Sequence, residues 1–468
     1  MHFTKTSLLA LSIATFSLGV EARSEAENDS ETNEPTGFQI TKLKSTSAQG
    51  EAKGFIEEQS LSGWTRNFFA QERTQRNTGF SIDKGNGRTE STRLRETWTQ
   101  GTVLDYSSGF TQGTVGIAAQ VAAYNEIALQ QGKGRIAGGG NRTLADHDGE
   151  AIEQWSKLGL ANLKARVSNT TLTAGRMAYN SPMVDVIGNR ALPSSYEGIA
   201  LNSAELDNLT FDFASFDRVS PRTEQSLARF TSEYGDRSAT ADHVSLAGLT
   251  YQPFHNVATK LYAANVKDFW NQYYLNVTHT AGNTASLELV SALNYYRTRD
   301  TGQRKQGAID NNTYSLSTTA SHKAHSVTLA YQQVDGDEYF DYLHETNGIY
   351  LANSLFSDFN GPNEKSVQIA YALDMAGYGV PGLSMSVYTA RGWGIDGTHY
   401  KGSAYNVKAM DGEKHVEYGV GAAYVIQSGT FKDSRIKATY ATHRASANQA
   451  DGSLRELRVV TQIPFNLL

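Results

Sequence analysis

Most of this sequence alternates apolar and polar residues with a period of two, in segments of about ten residues. Such segments lie near 113–125, 209–217, 286–298, 325–333, 367–374 and 457–468. In the last of them, Leu457, Val459 and Ile463 share one face, and the pattern continues to the final residue. A period of two is that of a β-strand, and ten residues are enough for a tilted strand to cross a bilayer.

The links between these segments alternate between short and long. Short turns such as 168–170 and 323–325 separate long polar links such as 132–154 and 337–365. A soluble β-sandwich also alternates its faces, but it accounts less well for this asymmetry or for aromatic residues that gather near strand ends. A final strand that reaches the end of the chain can also close against the first, which gives every strand amide a partner inside lipid. We therefore predict an all-β fold: a transmembrane up-and-down antiparallel β-barrel of about 18 strands with an inward-folded constriction loop.

The composition agrees with a barrel that has a water-filled lumen, and it excludes several other classes of protein and site. The chain has 468 residues, and length alone would suggest two or three soluble domains. Only 39% of the residues are hydrophobic, as expected when alternate strand residues face water. The net charge of -6 excludes a polycation that would coat nucleic acid. The absence of Cys excludes disulfides, thiolate metal sites and cysteine nucleophiles.

The amino terminus carries an export signal. Lys5 precedes the apolar run SLLALSIATFSLGV, and Val20 and Ala22 occupy the -3 and -1 positions of a cleavage site. The stretch 23–54 is polar and cannot bury enough apolar surface to order itself. We therefore predict a signal peptide at 1–22, a disordered polar periplasmic tail at 23–54, and a barrel at 55–468.

The polar faces of the strands would line a water-filled lumen. Eight basic residues fall on predicted inward faces and form a candidate ladder: Arg66, Arg93, Arg95, Lys164, Arg166, Arg435, Lys437 and Arg458. In the segment 155–167 the apolar, outward-facing residues switch from one set of alternate positions to the other near Gly159, and this switch predicts a β-bulge. Because the last strand pairs with the first, these strands share one wall, and a positive strip in a pore attracts anions. The plainer interpretation is that scattered lumen charges only keep the interior wet.

Two links could narrow the lumen. The link 180–198 is the candidate constriction loop, with Arg190 as its positive charge and Tyr196 beside it. The link 337–365 is an acidic loop, and its candidate residues are Asp337, Asp341 and Asp358. An acidic element opposite a basic strip could hold a zwitterion. The run at 335–341 could instead bind calcium, although it lacks the spacing of an EF-hand, or be a solvated loop.

Stretches in order along nearly the whole mature chain resemble the OprD-type family of outer-membrane substrate-specific porins. They include FIEEQSLSGWTRNFF (55–69), YYRTRDTG (295–302), TLAYQQVDGDEYFDY (328–342), IYLANSLFSDFNGPNEKS (349–366) and LRVVTQIPFNLL (457–468). The resemblance implies an 18-stranded barrel, often a loose homotrimer, in which a basic ladder guides carboxylates past a narrow eyelet. It implies substrates that are basic amino acids or other small and aromatic carboxylates.

By position, the resemblance assigns ladder residues and also shows departures. Arg66, Arg95, Lys437 and Arg458 match ladder strands, and Arg190 matches the arginine of the inward loop. Thr439 and Tyr388 stand where further ladder arginines are expected, and Glu197 follows Tyr196 where a basic residue is usual. These departures bear on the preferred substrate rather than on the transport role.

The sequence therefore predicts a channel in the outer membrane of a Gram-negative bacterium. It would take up small carboxylate-bearing solutes, such as amino acids or aromatic acids, passively and selectively. The expected partners are outer-membrane lipids, lipopolysaccharide, the solutes and copies of the chain in a loose homotrimer, with no nucleic acid, cofactor or metal. The alternatives are an outer-membrane barrel hydrolase, for which no G-x-S-x-G or H-E-x-x-H string occurs, and an adhesin or structural barrel with a closed lumen.

Overall fold

The computed structural model describes residues 38–75, 80–83, 89–130, 144 and 152–468. The predicted signal peptide and the first part of the predicted tail lie outside these residues. In chain order the strands are β1 (Ser60–Thr74), β2 (Phe80–Asp83), β3 (Thr89–Thr92), β4 (Leu94–Ser107), β5 (Gly116–Ala128), β6 (Gln154–Val167), β7 (Thr170–Met177), β8 (Ser195–Ser203), β9 (Leu209–Ser220), β10 (Val244–Phe254), β11 (Val257–Val266), β12 (Trp270–Asn283), β13 (Leu287–Asp300), β14 (Asp310–His322), β15 (His325–Asp335), β16 (Lys365–Asp374), β17 (Leu383–Ile395), β18 (Glu413–Val425), β19 (Arg435–Ala445) and β20 (Leu454–Asn466).

Eighteen of these strands form one closed antiparallel sheet, as the sequence predicts. Strand β1 pairs with β4 on one side and with β20 on the other, so no edge remains open. Strands β2 and β3 form a separate hairpin within a long link. The long links lie at one end of the barrel together with the short turn 267–269, and the other short turns lie at the opposite end. In outer-membrane barrels these are the extracellular and periplasmic ends, respectively.

The two faces of the strands separate apolar from polar side chains. Leu163 and Leu329 point outward and remain 62% and 58% exposed, as side chains that face lipid should. On the inner face, Gln332 and Ser315 are fully buried because inward-folded links cover them. The aromatic residues near strand ends do not all face outward, as an aromatic girdle at the membrane interface would require. Trp98 and Tyr273 are exposed, but four others are buried: Phe68, Phe269, Trp270 and Tyr274.

The predicted β-bulge in β6 is confirmed. Opposite β5 the register shifts between Ala122 and Ala123, which pair with Leu160 and Leu158 and skip Gly159. A Cβ atom on Gly159 would lie 2.3 Å from the ring of Tyr124, so a side chain has no room there. The extra residue restores the alternation that places Lys164 and Arg166 on the inner face.

Three long links, 178–194, 221–243 and 336–364, fold into the extracellular half of the barrel. Their apolar side chains, such as Val184, Phe230 and Phe340, join strand residues such as Trp270 in one buried cluster. At the opposite end the turns are short, and one contains a 3-10 turn at Met375–Tyr378. Across the described ranges, no helix has the length and apolar character needed to span a membrane.

Residues 38–54, here called the strap, differ from the predicted disordered tail. The strap runs along the periplasmic turns, where Gln39 N donates to Pro253 O, Lys44 N to Glu205 O, and Gln49 N to Ser168 O. Phe38 also packs edge-on against Phe254, with ring centroids 5.8 Å apart. The composition is too polar for an independent core, but turn carbonyls and side chains of the barrel supply the missing partners.

Replacing Gln49 with alanine should loosen the strap. The Gln49 side chain is 3% exposed, donates to Thr111 O (2.9 Å) and Gly113 O (3.0 Å), and accepts from Arg166 Nε (3.1 Å). Buried groups left without partners cost about 1–3 kcal/mol. We expect trypsin to cleave folded Gln49→Ala faster than wild type at the strap lysines. Glu51→Ala, which changes an exposed strap residue, is the control, and equal cleavage rates in the two variants would contradict this role.

Candidate solute-binding wall of the lumen

The link 178–194, here called the constriction loop, crosses the lumen as predicted. It leaves the barrel between β7 and β8 and reaches the wall at β1, four strands from β7, where Ala191 packs against Phe68 and Ala70. Gly101 of β4 permits this approach because a Cβ atom there would lie 2.6 Å from Ala191 O. The loop therefore narrows the channel next to the junction of the first and last strands.

Arg66 anchors this loop and is not a free ladder residue. It is 2% exposed, and its Nη1 donates to Gly188 O (3.0 Å) and Arg190 O (2.8 Å). Its Nε and Nη2 donate to Gln462 Oε1 of β20, at 3.0 and 2.6 Å. Because these donors already have acceptors within the protein, Arg66 holds the constriction loop in place instead of contacting solutes as a ladder residue.

Three of the predicted basic residues form a column on β19 and β20, here called the seam column: Arg458, Lys437 and Arg435. In the β19–β20 register Arg458 lies opposite Thr439, and Lys437 lies opposite Val460, two residues nearer the periplasm. Arg435, opposite Gln462, continues the column towards the periplasmic end. Two residues along a strand span about 7 Å, so positive charges follow one another at short intervals down the wall.

The constriction loop adds its own arginine to the top of the seam column. The guanidinium carbons of Arg190 and Arg458 lie 5.9 and 5.7 Å from the centroid of the Phe68 ring. Arg458 Nη2 donates to Glu456 Oε2 at 2.8 Å. Its Nε is buried and has no hydrogen-bond partner among the residues that the structure describes. The tertiary structure thus brings together Arg190 and Arg458, which are far apart in sequence.

The remaining basic candidates lie elsewhere. Arg95 is at the extracellular mouth, bound to Glu72 through Nε (2.6 Å) and Nη2 (2.6 Å). Arg93 is not in a strand and lies on an exposed bend before β4. Arg166 is near the periplasmic rim, where its guanidinium lies 3.8 Å from the Phe110 ring centroid. Lys164 faces the lumen near the same end, where it interacts electrostatically with Asp105.

The acidic loop does not present the surface that the sequence suggested. Asp341 is buried and accepts from Ser232 Oγ, Tyr405 OH (2.9 Å), Tyr234 N (3.0 Å) and Tyr342 N (2.8 Å). Burial nevertheless raises the pKa of Asp341 to about 6.

Asp358 is enclosed in the same way and accepts from Tyr234 OH (2.6 Å), Tyr342 OH (2.8 Å) and Ser354 Oγ (2.7 Å). Burial raises its pKa as well. Asp337 is exposed and accepts from Asn363 Nδ2 at 3.2 Å. Neither Asp341 nor Asp358 is available to face a zwitterion across the lumen, because neighbouring hydroxyl and amide donors already enclose both carboxylates.

Tyr196 is also structural. It is fully buried, and its hydroxyl donates to Asp185 O (2.6 Å) and lies 3.2 Å from Glu345 O. It therefore joins the constriction loop to the link 336–364 and does not line the pore. Its neighbour Glu197 pairs with Arg176 at 3.0 Å.

Two inward charges that hold the loops were not among the sequence candidates. Lys157 Nζ donates to Pro221 O and to Glu224 O (3.0 Å), which fixes the link 221–243. Glu417 is fully buried and accepts from Tyr388 OH and from the backbone amides of Phe356 (3.0 Å) and Ser357 (2.9 Å). Both residues occupy inward positions by strand parity, and that signal could have identified them.

Comparison with known proteins places these features in a family. The family described as "outer membrane porin, OprD family" matches residues 53–467. Porin D of Pseudomonas aeruginosa is 37% identical over 440 residues, which cover 90% of this chain and 94% of that protein. The crystal structure of Pseudomonas aeruginosa OccD3 (OpdP) is 48% identical and covers 90% of this chain and 94% of that one, with a TM-score of 0.78. The structure of Pseudomonas aeruginosa OpdK with vanillate is 25% identical and covers 88% of this chain and all of that one, with a TM-score of 0.77.

Proposed function

This chain belongs to the OprD family of outer-membrane porins, and from that premise we propose that it passes small carboxylate-bearing solutes along the seam column. Membership of the family makes it a substrate-specific channel of the Gram-negative outer membrane and not an enzyme. The barrel hydrolase that the sequence left open is thereby set aside. The substrate class is our proposal and rests on the chemistry of the wall.

The observation that carries the proposal is the buried Nε of Arg458, which has no acceptor within the described part of the chain. A buried donor without a partner is unfavourable by about 1–3 kcal/mol, and a carboxylate oxygen would relieve it. Lys437 and Arg435 continue the positive charge towards the periplasm. A carboxylate that leaves Arg458 and moves towards the periplasm would therefore encounter Lys437 and then Arg435.

The surroundings of Arg458 favour aromatic or simple monocarboxylates over zwitterions. The Phe68 ring lies within about 6 Å of the guanidinium carbons of both Arg190 and Arg458, and guanidinium groups also stack on the aromatic rings of solutes. The carboxylates of Asp341 and Asp358, which could have bound an ammonium group, are occupied by hydroxyl and amide donors. OpdK, whose structure contains vanillate, is an aromatic-acid precedent in a related barrel.

Removing the positive charges of the seam column should strongly weaken the binding of carboxylates in the channel. In planar bilayers, added benzoate should interrupt the ion current through wild-type channels. Hydrogen bonds to charged groups contribute about 1.5–3 kcal/mol, so Arg435→Gln/Lys437→Gln/Arg458→Gln should weaken this block by roughly tenfold or more. The anion-to-cation permeability ratio should fall in the same variant and depend less on ionic strength.

The matched control removes three positive charges elsewhere. Arg237, Arg299 and Arg304 have side chains that are 50%, 65% and 64% exposed at the extracellular end. Their replacement by glutamine gives the same change in net charge and should leave the benzoate block unchanged. Equal effects in the two triple variants would refute the seam column, and folded protein without ion conductance would refute the channel itself.

A further inference from the structure

Two histidines meet at the extracellular mouth of the barrel, and we propose that with Asp451 they bind a divalent transition-metal ion such as Zn²⁺. His415 of β18 and His443 of β19 are 3% and 0% exposed. Asp451 lies in the link between β19 and β20. One ligand atom from each of the three residues lies within 4.8 Å of the other two. In the part of the chain that the structure describes, no other group of His, Asp and Glu converges in this way.

The outer hydrogen bonds of the two rings determine which nitrogens carry protons. His443 Nδ1 lies 2.6 Å from Gly452 O, a carbonyl that can only accept, so Nδ1 is protonated. His415 Nε2 bonds to Oε1 of Glu364, whose other oxygen accepts from Gly361 N at 2.8 Å. A carboxylate that accepts on both oxygens makes His415 Nε2 a donor. Metal-binding histidines are usually held by such carboxylate and carbonyl partners.

These assignments leave two lone pairs directed at each other. His415 Nδ1 and His443 Nε2 are 2.6 Å apart, and each belongs to a ring whose other nitrogen already carries the proton. Two unprotonated nitrogens at that distance repel one another unless a cation lies between them. The geometry therefore calls for a cation at this position, and the candidates are a shared proton and a metal ion.

The third ligand favours the metal over the proton. Ser357 Oγ (2.6 Å) and Gln449 Nε2 (2.9 Å) both donate to Oδ2 of Asp451, which leaves Oδ1 for a cation. Two imidazole nitrogens and one carboxylate oxygen form a common donor set for Zn²⁺, with a fourth position open to water or solute. Bonds of about 2.0–2.1 Å in a tetrahedral site place two nitrogens roughly 3.3 Å apart. The rings therefore need to separate by about 0.7 Å, and the Asp451 oxygen, which lies within 4.8 Å of both nitrogens, has to move closer as the ion binds.

Such an ion would fasten the link 336–364 to the barrel wall. Glu364 and Ser357 of this link support the ligands, and the Phe359 ring stacks on His415 at a centroid distance of 4.2 Å. The metal site is independent of the seam column, so either can fail without the other.

Metal binding by the purified, folded protein tests the site. With a chromophoric chelator as competitor, we expect about one equivalent of Zn²⁺ per chain and no competition from Ca²⁺, a hard cation that prefers oxygen ligands. His443→Asn and Asp451→Asn should each weaken Zn²⁺ binding at least tenfold. Glu364→Gln, which acts through His415, should weaken it by about 10- to 100-fold.

The controls distinguish loss of the proposed metal site from the loss of any histidine and from misfolding. His325→Ala removes a histidine at the periplasmic end and should bind Zn²⁺ as the wild type does. Asp451 lies outside the strands, so its variant keeps the barrel intact if a strand histidine variant does not fold. Heat-dependent gel migration verifies folding of each variant. Absence of Zn²⁺ binding by folded wild-type protein, or equal binding by Asp451→Asn, would overturn the proposal and leave a shared proton as the cation.

Discussion

Replacing Arg66 with methionine should widen the channel. The variant keeps a long apolar stem but loses the two hydrogen bonds that hold the constriction loop at Gly188 O and Arg190 O. Hydrogen bonds from charged donors contribute about 1.5–3 kcal/mol each, so the loop should lose about 3 kcal/mol or more of anchoring. Single-channel recordings should show higher conductance and weaker ion selectivity than those of the wild type.

Gln462→Leu is the matched control for Arg66→Met. It removes the wall partner of Arg66 but leaves both bonds to the loop. Its stability should fall, because Arg66 loses an acceptor, while its conductance should stay near that of the wild type. An Arg66→Met channel that conducts like the wild type would contradict the anchoring role.

The second large effect is expected at Arg222, which joins three inward links. Its Nε and Nη2 donate to the two oxygens of Glu345, each at 2.9 Å, and its Nη1 donates to Asn189 Oδ1 in the constriction loop. Both members of the ion pair are buried. Breaking a buried pair by removing one member costs about 3–5 kcal/mol because the other charge stays buried without a partner. Arg222→Leu should therefore lower thermal stability sharply, and Arg222→Leu/Glu345→Leu should recover much of the loss.

The pH dependence of this pair has a definite sign. Burial alone would raise the pKa of Glu345, but the charge and hydrogen bonds of Arg222 hold that pKa well below its usual value of 4.5. A lowered pKa contributes stability above about pH 4.5 and loses it as the pH falls. In Arg222→Leu burial remains without the arginine, so the pKa should rise and the variant should be least stable at neutral pH. Thermal unfolding between about pH 2 and 8 measures the pH dependence of stability in both proteins, and parallel profiles for variant and wild type would refute this account.

The orientation of the wall residues could be predicted from the sequence. Strand side chains alternate strictly, so an apolar outer face places Arg458 and Lys437 inside without knowledge of any contact. The same alternation shows that outward-facing residues change from one set of alternate positions to the other near Gly159, and this change predicted the β-bulge. Closure of the last strand against the first follows from the need to pair every amide within lipid.

The roles of the inward charges could not be predicted in this way. Arg66 and Arg458 both face the lumen, yet Arg66 binds backbone carbonyls more than 120 positions away and Arg458 keeps a donor without a partner. Asp341 and Asp358 are enclosed by tyrosine hydroxyls from their own and other links. Which charge meets a solute depends on where the long links fold.

The sequence by itself determined the barrel, its strand number and the inner and outer faces, because these follow from local alternation and from the cost of unpaired amides in a membrane. Only the tertiary structure decided which basic residues form the seam column, which hold the loops, and that residues 38–54 pack against the turns. It also placed His415 next to His443. The physical reason is that these outcomes depend on hydrogen bonds between residues far apart in the chain, and such contacts cannot be predicted from a local sequence pattern.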